Sequence, residues 1–274
     1  MKPELLIIIG IFFSFIVLEI LFTSFFRKEG QTSGDAWVEI GSTIIVAGLT
    51  KPFIVAASFT AMLFVFPQYQ DNLATLPFWV GFILFLLLDD LTQYWWHRAS
   101  HTYNWLYKLH RPHHNAAYMS IRLVYRNNVF YYLLMPGLWL SGILVYLGLG
   151  WVYIPYLILK MTVIFGAHSD IAWDRPLYKI NWLSPVMWVV ERTISTPATH
   201  FAHHGKHKED GVTHYKGNYS NLLFFWDILF GTAKITRRYP QQYGVEGLRS
   251  TTLMEQLFWP LVNKKPAVPK KSKP

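Results

Sequence analysis

The chain alternates long apolar runs with short polar breaks. Leu5 to Phe22 is almost unbroken in hydrophobic residues, and Arg27-Lys28-Glu29-Gly30 through Gly34-Asp35 interrupts it. Trp37 to Phe66 is a second apolar stretch, broken only at Lys51-Pro52, and a polar loop, Pro67 to Pro77, follows. Phe78 to Trp96 is a third, carrying Asp89 and Asp90 near its end. Val129 to Leu149 and Trp151 to Phe165 are two more, separated by Gly148-Leu149-Gly150, which reads as a helical hairpin. Crossing a bilayer takes about 20 apolar residues as a helix. The pattern therefore predicts an all-α, multi-pass membrane helical bundle. The first run is longer than the ~7–15 apolar residues of a signal peptide and lacks a small-x-small cleavage site, so it reads as a retained anchor. The second is long for one crossing, and a single helix kinked at Pro52 is expected in preference to a hairpin.

Composition strengthens this. The 274 residues are 52% hydrophobic, 18% aromatic and 15% charged, against about 25% charged in an ordinary soluble domain. The net charge of +9 fits a face turned to anionic lipid, and no groove-reading motif points to nucleic acid. Cysteine is absent, so any metal must be held by nitrogen and oxygen.

The chemistry lies in the histidines. None of the 11 precedes His97 or follows His214. His97 and His101 are spaced i, i+4 and share a helix face at the foot of the third run. His110, His113 and His114 form an HxxHH pattern; Pro112 disfavours helix at Arg111, so a turn is expected there, with a new helix carrying His113 and His114. Ser195-Thr196-Pro197 reads as a cap followed by proline in the first turn, which puts His200, His203 and His204 on one stripe of the next helix. His168 ends the hairpin. Imidazole suits iron, zinc or copper, and nine nitrogens are too many for one ion and about right for two. His207 and His214 are possible extra ligands, read here as surface loop residues.

With the histidines on the cytoplasmic side, Arg27, Lys28, Arg98, Lys108, Arg111, Arg122, Arg126, Lys179, Arg192, Lys206, Lys208, Arg237 and Arg238 all fall inside, as the positive-inside rule requires. The first crossing then runs inward, the second outward and the third inward; a hairpin at 37–66 would change that parity. From Ile171 onward a mixed polar and aromatic, histidine-rich helical cap is expected, and Lys264 to Pro274 reads as a basic disordered tail.

HxxxH, HxxHH and a later HxxHH resemble the boxes of the fatty acid hydroxylase / sterol desaturase superfamily of integral-membrane di-iron oxygenases. The resemblance extends to Asp90-x-x-x-Tyr94-Trp95-x-His97-Arg98, to Asn218-Tyr219-Ser220 and to Phe225-Trp226-Asp227-x-Leu229-Phe230-Gly231-Thr232, and covers roughly residues 85 to 235. It departs at Ser220, where the family has glycine, and at Ala172, where some members carry a further histidine. The resemblance implies N-terminal transmembrane helices over 1–84, a catalytic domain over 85–235 that includes the membrane hairpin 129–166, and a basic tail over 236–274. It implies metal ligation by His97, His101, His110, His113, His114, His200, His203 and His204, with His168 as the additional ligand. Ligating histidines donate their outer N–H to an acceptor, and Asp90, Asp170, Asp174, Glu191 and Asp227 are the acids nearest the clusters. The implied cofactors are two iron ions, with dioxygen as co-substrate. The implied partners are a membrane lipid and an external electron donor: a ferredoxin, a b-type cytochrome or a reductase. The implied location is a bacterial inner membrane or the endoplasmic reticulum. The implied reaction is hydroxylation or desaturation of a fatty acyl chain, sterol or related lipid. Ether-lipid cleavage and carotenoid hydroxylation remain open within the same chemistry, and a non-enzymatic metal-binding or transport protein is the alternative outside it.

Overall fold

The computed structural model describes residues 3–247 and 251–263; the expected basic tail from Lys264 lies outside the described residues. Their regular secondary structure is helical, with one isolated backbone bridge, Gly205 to Tyr243, and no strand among the described residues. The long helices are α1 (Pro3–Phe22), α2 (Asp35–Val65), α3 (Phe78–Thr102), α4 (Asn104–His114), the hairpin arms α5 (Pro136–Leu144) and α6 (Gly150–His168), then α7 (Ser184–Thr193) and α8 (Pro197–His204).

The apolar runs become helices packed in alternating directions. Ile8 of α1 packs on Met161, Ile164 and Phe165 of α6. Lower down, Glu19 accepts hydrogen bonds from the Ile121 and Asp170 amides at 2.8 and 3.0 Å and from Ser120 Oγ at 2.6 Å. α2 runs the opposite way and ends beside the hairpin turn, where the Tyr146 hydroxyl donates to the Phe66 carbonyl. Gly137 of α5 and Lys160 of α6 both lie against Asp89 of α3, so the two arms flank α3 and are antiparallel. The reversal is at Gly148, with φ of 103°. A Cβ there would meet the Ala74 amide at 2.8 Å, so both the backbone angle and the space demand glycine.

The single helix expected over 37–66 is present, and the structure shows how it passes Pro52. Thr43–Thr50 is a π-helical segment, and the Lys51 N–H bonds Val46 five residues back. The wider turn accommodates the missing proline N–H and its ring clash. The turn expected at Arg111 is absent: α4 runs through Pro112 to His114. Pro112 falls in the last turn, where losing one helical hydrogen bond costs little.

Asp35–Val65 and Pro136–His168 are helical runs long and apolar enough to cross a membrane, the latter reversing at Gly148. The outer face of the first presents Ile44, Leu49, Phe53 and Phe64, the last 82% exposed. Apolar surface on that scale is foreign to water-facing helices, and the chain is membrane-associated. Residues beyond 235 are part of the body: Tyr239 and Tyr243 pack edge-on against Phe201, and the Gln256 and Trp259 carbonyls accept from Asn128.

Candidate metal centre

α3 carries the first pair downward out of the bundle. Three residues on its inner face, at i, i+4 and i+7, each grip the segment 217–232. Asp90 accepts from the Leu223 amide at 2.9 Å and from the Trp226 indole at 3.0 Å. The Tyr94 hydroxyl meets Thr232 Oγ1 at 2.9 Å, and His97 Nδ1 meets the Tyr219 carbonyl at 2.5 Å. The two distant motifs are therefore halves of one interlocked surface. On the far side α8 is capped by Thr196, whose side chain accepts from the Thr199 amide, with Pro197 in the first turn as expected. Asp174 supports that start by accepting from the Ala198 amide at 2.9 Å.

Nine histidines converge as two adjoining groups. His97, His101, His110, His114 and His203 form the first, and His113, His168, His200 and His204 the second; within each, the ligand atoms lie within 4.8 Å of one another. The His114 and His204 rings stack across the boundary at 4.4 Å. Because α4 is continuous, His110 and His114 face the first group while His113, one step round the helix, faces the second. All nine except the half-buried His101 are at most 4% exposed.

The hydrogen bonds fix the tautomers. Nδ1 of His97 faces the Tyr219 carbonyl, that of His113 the Leu123 carbonyl at 2.9 Å, that of His168 the Ile164 carbonyl at 2.8 Å and that of His203 the Gly217 carbonyl at 2.7 Å. His110 Nδ1 faces the Asn127 side-chain oxygen at 2.9 Å. Carbonyl oxygens only accept, so each Nδ1 carries the proton and each Nε2 presents a bare lone pair. Those lone pairs then face one another: His97 to His110 at 2.9 Å, His97 to His203 at 3.1 Å and His113 to His168 at 3.3 Å. Facing lone pairs repel unless a cation lies between them. Nitrogens ~2.1 Å from a common ion and at right angles lie about 3 Å apart, which is the spacing found. His101 Nε2 and His200 Nδ1 are buried and have no hydrogen-bond partner. The residues thus fit a metal in each group. The donors are all imidazole, a set that suits iron, copper, zinc or nickel. Burial first, and neighbouring imidazoles second, push the pKa of His114, His200 and His204 well below the usual histidine range, so these rings are neutral and ready to ligate at pH 7.

The acids near the clusters serve elsewhere. None of Asp90, Asp170, Glu191 or Asp227 bonds a clustered histidine. Asp227 acts one layer out, accepting from the Tyr219 and Ser220 amides at 2.9 and 2.7 Å and from Thr232 at 2.6 Å, which fixes the loop whose carbonyls orient His97 and His203. Asp170 pairs with Lys28 at 2.5 Å, and Glu191 with Arg237 and Arg192 at 2.8 and 3.0 Å. His207 lies beside Glu246 and Gln242, and His214 faces the Thr232 carbonyl; neither joins a group. Asn127 and the carbonyls that orient the rings are not among the residues the histidine motifs point to. Backbone acceptors leave no residue signature, and only Asn218-Tyr219 marked one of them.

A cavity of ≈690 Å³ opens onto both groups, with His97 and His110 from the first and His113 and His168 from the second in its wall. Elsewhere it is lined by apolar and aromatic side chains such as Val55, Phe59, Leu138, Leu157 and Met161. A smaller pocket of ≈280 Å³ reaches His101 and His114 from another side, past Tyr107, Lys206 and Lys216.

Residues 82–232 match the fatty acid hydroxylase family. Among characterised proteins, the chain is 25% identical over 225 residues to alkylglycerol monooxygenase of Homo sapiens, covering 81% of this chain and 46% of that protein. It is 23% identical to the Xenopus tropicalis protein of the same name over 81% of this chain and 45% of the relative, and 25% identical to that of Danio rerio over 56% and 30%. The chain thus spans less than half the length of these relatives. No solved structure matches it. The match over more than half its length, on the interlocked segments that build the histidine groups, makes this chain a member of the fatty acid hydroxylase family.

Proposed function

We propose that this protein is a membrane di-iron oxygenase that hydroxylates a C–H bond of a lipid held in the large cavity. The observation that carries the reading is the pair of buried, all-imidazole groups forming the end of an apolar, lipid-sized space. When bound, two irons would supply the activation of dioxygen needed to attack an unactivated C–H bond. His97, His101, His110, His114 and His203 would hold one, and His113, His168, His200 and His204 the other. The chain's remaining task is positional. Carbonyls and Asn127 keep five rings in one tautomer, the interlocked 217–232 segment seals the site from one side, and the cavity presents one carbon while excluding water. One oxygen atom enters the substrate and the other leaves as water, with electrons from an external carrier; Lys206 and Lys216 beside the smaller pocket favour an acidic one.

The similarity to alkylglycerol monooxygenases favours an ether lipid within the wider class of fatty acyl and sterol-like substrates. Desaturation would use the same site. A metal store or transporter has no use for a cavity lined in this way, which favours the enzyme. The alternating helix directions support a multi-pass bundle, with 1–84 as its N-terminal part and 85–235 as its catalytic part. The Lys and Arg distribution supports a cytoplasmic histidine face. The test is lipid profiling of membranes with and without the protein under isotope-labelled dioxygen. A lipid gaining one labelled oxygen is the expected result; unchanged lipids with iron-loaded protein and a supplied reductant would overturn the reading.

A further inference from the structure

The cavity wall is not wholly apolar. Lys51 on α2, Asp89 on α3 and Lys160 on α6 all line it. Lys160 and the Tyr156 hydroxyl both donate to Asp89, and Ser141 adds a bond at 3.1 Å. That carboxylate is therefore already engaged by one ammonium. Lys51 has no ion-pair partner among the described residues. Its ammonium rests instead over the rings of Tyr125 and Tyr132, 5.0 and 4.8 Å from their centroids. The cavity lining thus carries two ammoniums and one carboxylate.

An unpaired charge at this depth is costly and marks a functional position. Lys51 does not repay the cost by packing: a methionine would fill the same volume between two aromatic rings with no charge to desolvate. Nor does it orient a histidine, since Tyr132 stands between it and Asn127. What a lone ammonium on a cavity wall can do is meet an anion, and one negative charge would balance the wall.

We propose that Lys51 is the docking point for the polar end of the lipid, and that this end carries a single negative charge, as a carboxylate or a phosphodiester. This rests on the reading of the cavity as the substrate site. Tyr125 and Tyr132 hold the ammonium in place by cation–π contact, so it is positioned before the lipid arrives. Met135, Leu138 and Leu157 supply the apolar wall for the chain.

The experiment is equilibrium binding to the full chain in lipid nanodiscs, with no reductant, so that it does not depend on turnover. The probes are single-chain amphiphiles of equal length bearing a carboxylate, a methyl phosphodiester, a neutral diol or a trimethylammonium head. The wild type should bind the two anionic probes at least roughly tenfold more tightly than the diol, with the cation weakest. The better of the two anions identifies the head. Lys51→Met should erase the preference while leaving diol affinity, helicity and metal content unchanged, and Lys51→Arg should retain it. Equal binding of anionic and neutral probes by the wild type, or an unchanged ratio in Lys51→Met, would overturn the proposal. A clear preference in a protein that oxidises no lipid would instead leave the proposal standing and defeat the oxygenase reading.

Discussion

The two histidine groups are built from the same residue type but held differently. In the first, His97 and His203 take their orientation from the carbonyls of Tyr219 and Gly217, on a loop that Asp227 fixes through two amides. In the second, His168 bonds a carbonyl of its own helix and His113 the Leu123 carbonyl of the loop after α4. The first group is reached both from the large cavity and from the smaller pocket, whereas the second has His113 and His168 in the wall of the large cavity and no residue in the smaller pocket. One group thus depends on a distant loop and is open to a second approach; the other depends on local helix geometry. Sequence spacing treats the boxes as equivalent, but the sites they form should differ in how they fail.

Mutations can break that comparison. The largest effect should come from removing a ligand. His203→Ala should empty the first group and His204→Ala the second, each leaving about one metal per chain and abolishing lipid oxidation, read by metal analysis and product formation together. Retained oxidation in either would count against the assignment. Asp227→Ala should weaken metal at the first group alone, by roughly 10–100-fold as for other residues that orient ligands, seen as a biphasic chelator titration where the wild type is closer to monophasic. Gly217→Ala should press the same loop from inside: a Cβ there would sit 2.1 Å from His214 Nε2 and 2.4 Å from the Thr232 carbonyl. Overpacking of that kind costs about 1–3 kcal/mol, measurable as a lower unfolding midpoint. The smallest effect should be His207→Ala, within about 0.5 kcal/mol and with full metal content, because that side chain meets only Glu246 and Gln242 near the surface.

Much of this was legible in the sequence because membrane helices and helical histidine spacing both follow short, regular periods. The hairpin glycines, the cap at Thr196-Pro197 and the sharing of one face by His200, His203 and His204 all follow from local rules. The turn expected at Pro112 is absent because the effect of a proline depends on where the helix ends, and only the packed structure shows that it ends two residues later. The expected links from acids to ligands were replaced by backbone carbonyls, which any residue can supply. Asp89 stood out as an acid in an apolar run, yet its partner Lys160 lies 71 residues away in another such run, and no local period joins them. The same holds beyond residue 235, where Tyr239, Tyr243 and Gln256 pack against elements that no local period connects to them.

The central claim is that the chain closes around two metal ions beneath one apolar cavity. Iron quantification on the full chain, purified in lipid and loaded anaerobically, tests it most directly. The account predicts close to two irons per chain, falling to about one in His203→Ala and in His204→Ala separately. A wild type that saturates at one ion, or variants that both still bind two, would contradict it.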